Sequence, residues 1–144
     1  MVRLVDHTAD LAIEATGPTA EACLADAALG IAAVLTGRDD VHALGPAQRE
    51  VHFVLEAPDD AALLVAVLSE LLWLHESEDV LWIGGGFALS TTATGLRRAE
   101  ARGNGVAHDV ARHGRGVEVK AVTYHGLRWE RKGPAWQAWV LLDI

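Results

Sequence analysis

A chain of 144 residues with 51% hydrophobic and 22% charged side chains has the composition of one globular domain, spanning 1–144 and long enough to bury a core. No apolar run reaches membrane-spanning length, so a soluble protein with no membrane partner is expected. The formal net charge of −8 is uneven: residues 1–72 carry 3 basic and 12 acidic side chains and residues 73–144 carry 9 and 8, which argues against a protein that grips nucleic acid unaided.

The first residues contain Arg3 but no apolar signal region, and the lone Cys23 has no partner for an internal disulfide. Both features point to a reducing cytoplasm. Cys23 lies in an alanine-rich stretch without a basic neighbour and reads as a packing residue rather than a nucleophile.

DHTAD, Asp6 to Asp10, places two carboxylates, an imidazole and a hydroxyl before LAIEATG, where Leu11, Ile13 and Ala15 alternate with Glu14 and Thr16. That alternation predicts a strand with one covered face, ended by Gly17 and Pro18. TAEACLADAALGIAAVLTG then sets Leu24, Ala28, Ile31 and Leu35 on one helical face, with Thr19 as N-cap and Gly37 as C-cap. After a loop, GRDDVHALGPAQ, the alternation of Val51, Phe53 and Leu55 predicts a second strand in REVHFVLEA.

Pro58 and Asp59 open a second helix in which Leu63, Leu64, Val67, Leu68, Leu71, Leu72 and Leu74 leave little polar surface, so this helix is expected at the centre of the core. The second half reads as successive strands separated by Gly, Asn and Pro turns, ending in LRWER, the turn KGPA and WQAWVLLDI. In the last strand Trp136, Ala138, Val140 and Leu142 share one face, while Gln137, Trp139, Leu141 and Asp143 share the other. The five tryptophans are expected mostly in the core, with Trp139 as a candidate interface anchor. The order β, α, β, α and then several strands predicts an α+β fold, two helices packed on a mainly antiparallel β-sheet sandwich.

On residue types alone, Asp10 is either a strand-start residue bonding to backbone or a carboxylate ligand. Asp143 is delivered to a fixed place by the ordered strand before it. His7 is open to three readings, a ligand, a second layer of support orienting Asp10, or a packed ring, and the second is preferred. Lys120, Thr123 and His125 are either a polar cluster beside such a site or plain solvent-facing strand residues. His108 and Asp109 read as loop polars, and Arg97, Arg98, Arg102, Arg112 and Arg115 as solvated charges. GGGFALST at Gly84 to Thr91 lacks the lysine of a phosphate-binding P-loop.

HTAD (His7 to Asp10), the helix ending ALGIAAVL, LLVAVLSELLWLHE, VKAVTYHGL (Val119 to Leu127) and a final LLDI, in that order, resemble the archease family over nearly the whole chain. The resemblance implies an archease-like α+β protein that is not itself an enzyme. It would instead act as a protein cofactor of an RtcB-type, GTP-dependent RNA ligase, promoting ligase guanylylation and multiple turnover in tRNA splicing or RNA repair, with RNA met only through the ligase. It also implies a divalent metal ion, calcium foremost with magnesium or manganese as substitutes, held by Asp10, Asp143 and a main-chain or terminal oxygen of Ile144. His7, Lys120 and His125 would stand behind those ligands. Such oxygen donors suit a hard cation, whereas zinc would recruit histidine or cysteine. The triple glycine Gly84 to Gly86 and the arginines Arg112 to Arg115 match no fixed motif of the family, which bears on partner contacts rather than on the metal. The competing readings are a metal-dependent phosphatase or nuclease using Asp10 and Asp143 with a histidine base, and a general chaperone or modulator of nucleic-acid enzymes.

Overall fold

The computed structural model of the chain describes the backbone of residues 2–4 and residues 10–144 in full. Two antiparallel sheets and two long helices make up the architecture. One sheet runs β1 (Val2–Leu4), β2 (Asp10–Gly17), β8 (Ala135–Asp143) and β6 (Ala121–Val122), with β7 (Arg128–Lys132) also paired to β8. The other has β5 (Arg97–Ala107) between β3 (Arg49–Ala57) and β4 (Val80–Thr91). Helices α1 (Ala20–Thr36) and α2 (Asp60–Glu78) each touch strands of both sheets, and a short α3 (Val110–His113) follows β5.

The caps form as their residue types dictate. Thr19 accepts from the Ala22 amide through Oγ1 at 3.0 Å, and Asp59 accepts from the Ala62 amide at 2.8 Å. Gly37 closes α1 in the left-handed region at φ 73°. At the end of α2 the same conformation falls to Asp79, φ 58°, an acidic residue where glycine is usual.

The expected apolar residues of α2, Leu63 through Leu74, are all buried, each contributing roughly 1.5–3 kcal/mol of transfer free energy. A helix apolar on so much of its circumference needs partners on more than one side, and contact with both sheets supplies them. Trp73 is the exception among the helix's large side chains. It is 54% exposed, because Leu71, Leu72 and Leu74 already occupy the inward directions around it.

Within the triple glycine the steric reason lies at Gly85, since a Cβ at Gly84 or Gly86 would meet nothing. The ring of Trp82, 3% exposed, lies across Gly85 and Gly103, which face each other on β4 and β5. A Cβ at Gly103 would run into that ring and into the Gly84 carbonyl. The register shift between Trp82 and Gly84 accompanies this packing.

Three expectations change. The strand foreseen over Val119 to Leu127 shortens to Ala121–Val122, because after Thr123 bonds its amide to the Leu141 carbonyl at 3.0 Å the chain turns away from β8. The loop before β3 contains a 3₁₀ turn, Val41–Leu44, that buries Val41 and Leu44. The second half is also not purely strands, since α3 intervenes with Asp109 capping it. No described helix is long and apolar enough to cross a membrane.

Gly103→Val is expected to lower stability by about 1–3 kcal/mol, since it overpacks a closed site beneath Trp82. Urea unfolding monitored by tryptophan fluorescence checks this, and unchanged stability would mean that the indole has room to move.

Candidate metal centre

The pairing of β2 with β8 sets the geometry. Its register runs from Gly17 opposite Trp136 to Asp10 opposite Asp143. Residues directly opposed on antiparallel strands project to the same face, so the two carboxylates emerge side by side, on the face opposite to Leu11 and Leu142. Leu142 is fully buried and Leu11 packs against the core. Both aspartates are half-buried, and among the described residues neither is in an ion pair. Two like charges so placed repel each other unless a cation lies between them.

Ile144 is half-buried and packs against the core, which holds its backbone next to Asp143. The main-chain carbonyl of Asp143 is already engaged, accepting from the Lys120 amide at 2.7 Å. The oxygen donors here therefore fit a hard divalent cation: two opposed carboxylates and a neighbouring backbone oxygen on an anchored residue. His7 lies outside the described residues, as does Asp6.

Of the other candidates, the structure brings the backbone of Lys120 to the end of β8, with its side chain exposed. Thr123 donates through Oγ1 to the Leu141 carbonyl at 3.0 Å and accepts from the His125 amide at 3.3 Å. His125 is exposed in the turn that follows, and its ring has no hydrogen bond among the described residues.

The arginines are largely committed elsewhere. Arg97 pairs with Asp60 at 2.7 Å, Arg102 with Glu100 at 3.1 Å, and Arg112 donates to the Gly45 carbonyl at 2.5 Å. Cys23 is fully buried, and burial together with the nearby Asp26 carboxylate pushes its thiol up to about 11, so it stays protonated and unreactive at neutral pH. Trp139 is half-buried with the Arg128 guanidinium 5.5 Å from its ring centre.

One cluster escaped the sequence reading. His75 in the last turn of α2, Asp79 at its C-cap and His108 just after β5 bring their ligating atoms within 4.8 Å of one another. His75 Nε2 lies 2.9 Å from His108 Nδ1, and His108 Nε2 lies 2.7 Å from the Gly114 carbonyl. Burial, then the neighbouring His108, holds the His75 imidazolium below its ordinary range. The spacing of His75 and Asp79 at a helix end was the available signal. His108 arrives from a different strand and carries no local pattern.

The Archease protein family model matches residues 3–144. A protein archease of Methanosarcina mazei is 34% identical over 140 residues, covering 97% of this chain and 93% of the relative. One from Thermococcus gammatolerans is 34% identical over 141 residues, covering 96% and 95%. Among solved structures, the solution structure of Methanobacterium thermoautotrophicum protein 1598 superposes with a TM-score of 0.73 at 28% identity, covering 99% of this chain and 98% of that one. The Thermotoga maritima crystal structure, titled an archease and possible chaperone, shares the fold with a TM-score of 0.56 at 21% identity, covering 99% and 96%.

In chelator-treated protein, Asp143→Asn is expected to raise stability by about 0.2–1 kcal/mol, because it removes a like charge directly opposite Asp10. Urea unfolding at low ionic strength measures it, and a variant less stable than the parent would show that the two carboxylates do not confront each other.

Proposed function

The chain belongs to the archease family, and on that premise we propose that it is a metal-binding protein cofactor of an RtcB-type RNA ligase, raising ligase guanylylation and turnover without catalysing bond formation itself. The observation that carries the metal-binding part of this reading is the confrontation of Asp10 with Asp143 across β2 and β8. Two acidic side chains are held as direct neighbours with no basic partner among the described residues, an arrangement that costs free energy unless a cation is part of the working protein.

Asp10 and Asp143 would supply the charge, and Ile144 a backbone oxygen. A hard divalent cation held there, calcium foremost and magnesium or manganese as substitutes, would neutralise the carboxylates and keep positions open for oxygen atoms of a partner. Lys120, its side chain exposed beside the end of β8, would meet an acidic or phosphate group of that partner. His7, three residues before Asp10, is assigned to orienting that carboxylate, and His125 to the rim of the same face. The net charge of −8 favours contact with RNA only through the ligase, and the lone buried thiol suits a reducing cytoplasm.

A ligation assay under multiple-turnover conditions, with the ligase at low concentration, tests the reading. Asp10→Ala and Asp143→Ala should each abolish stimulation while circular dichroism stays that of the parent, and Lys120→Ala should reduce it. Stimulation that survives both aspartate changes would remove the proposed site. End-joining or phosphate release by this protein with no ligase present would instead favour the phosphatase or nuclease reading, and protection of unrelated client proteins a general chaperone. The isolated protein should bind RNA no tighter than about micromolar at physiological salt, as measured by fluorescence anisotropy.

A further inference from the structure

The cluster at the far end of α2 has a donor set unlike that of the paired aspartates. We propose that His75, Asp79 and His108 form a second metal site, one that takes a divalent transition ion of the zinc class. The proposal is independent of the ligase reading and of Asp10 and Asp143.

The tautomers are set by what each ring faces. The Gly114 carbonyl can only accept, so His108 Nε2 carries the proton and donates to it at 2.7 Å, which leaves the lone pair on Nδ1. Fixing one ring nitrogen against a backbone carbonyl is how ligating histidines are commonly oriented. The ring of His108 also stacks on that of His113, with centroids 6.3 Å apart. His113 is itself 2% exposed and anchored through Nε2 to the Leu44 carbonyl at 3.0 Å. His108 Nδ1 is therefore a lone pair held in place, and it points at His75 Nε2, 2.9 Å away.

Two nitrogens bound to one zinc ion in tetrahedral geometry stand about 3.3 Å apart. Replacing the N–H···N bond by an ion thus requires the nitrogens to part by a few tenths of an ångström and the rings to turn by roughly 35° so that both lone pairs converge on the ion, with the His75 proton moving to Nδ1. The third donor is in reach, since an Asp79 carboxylate oxygen lies within 4.8 Å of a ring nitrogen of each histidine and is in no ion pair among the described residues. Its backbone is held from two sides, the amide donating to the His75 carbonyl and the carbonyl accepting from the His108 amide, each at 2.9 Å.

Two imidazoles and one carboxylate form a borderline donor set, suited to zinc, cobalt, nickel or copper and poorly suited to calcium or magnesium. Three protein ligands leave a fourth position. It faces a cleft of about 440 Å³ lined in part by Glu76, Arg115 and Glu118, where water completes the shell. An ion here would clip the end of α2 to the exit of β5 and to the segment reaching Gly114.

The test uses the full chain without a histidine tag, stripped with chelator, and carrying Asp10→Asn and Asp143→Asn so that the oxygen site is silent. Calorimetry should show one equivalent of zinc bound, with calcium giving no heat, and cobalt(II) should produce the intense visible bands of a four-coordinate ion. His75→Ala and Asp79→Asn should each weaken zinc binding by at least about tenfold while circular dichroism remains that of the parent. Asparagine tolerates the left-handed conformation of position 79, so that variant isolates the ligand charge from the fold. No zinc bound by the silent-site protein, or zinc affinity unchanged by both substitutions, would overturn the proposal and leave His75 and His108 as a hydrogen-bonded pair closing the helix.

Discussion

The pairing of β2 with β8 is the constraint on which the rest of the molecule depends. Eight consecutive residues of one strand lie against eight of the other without a register shift, from Gly17 opposite Trp136 to Asp10 opposite Asp143. This single alignment places Ile13 and Val140 together in the core and Asp10 beside Asp143 on the opposite face. A slip by one residue would exchange the two faces, taking Leu142 out of the core position it shares with Val140 and turning an aspartate into it. The apolar core thus specifies the register, and the register brings the carboxylates together. The ordering that builds the core is the same ordering that sets Asp10 beside Asp143.

Much of this architecture is legible in the sequence because period and burial coincide. The seven apolar residues of α2 and the caps Thr19, Asp59 and Gly37 stand where the pattern puts them, since helices that pack against both sheets have little freedom to be otherwise. The alternation in AWQAWVLLD likewise reads as a strand with Ala138, Val140 and Leu142 inward. Segments whose conformation is decided by a distant partner are less readable. VKAVTYHGL reads as a strand, yet only the part within reach of Leu142 and Asp143 pairs, and Thr123 gives its hydroxyl to ending the ladder.

The two polar clusters differ in legibility for the same reason. Asp10 and Asp143 lie at the ends of recognisable strands and inside motifs of a known family, so their juxtaposition can be anticipated. His75 and Asp79 look like ordinary residues of a helix end, and His108 like loop polarity, until β4 and β5 return the chain to the same place. Asp79 carries the clue in backbone form, as the one described residue other than glycine with positive φ. The clusters also differ in chemistry, one built from oxygen alone and the other from nitrogen with oxygen, so their donor sets suit divalent ions of different hardness.

The long separation in sequence between β2 and β8 has a consequence for how the protein is made. Synthesis at roughly 5–20 residues per second leaves β2 outside the ribosome for on the order of ten seconds before β8 emerges to pair with it. Throughout that interval the apolar face around Ile13 can be covered by α1, which follows directly, but the hydrogen-bonding edge cannot be completed. The nascent chain therefore carries an open strand template that another copy on the same message could match, and crowded polysomes are where such mispairing would first be felt.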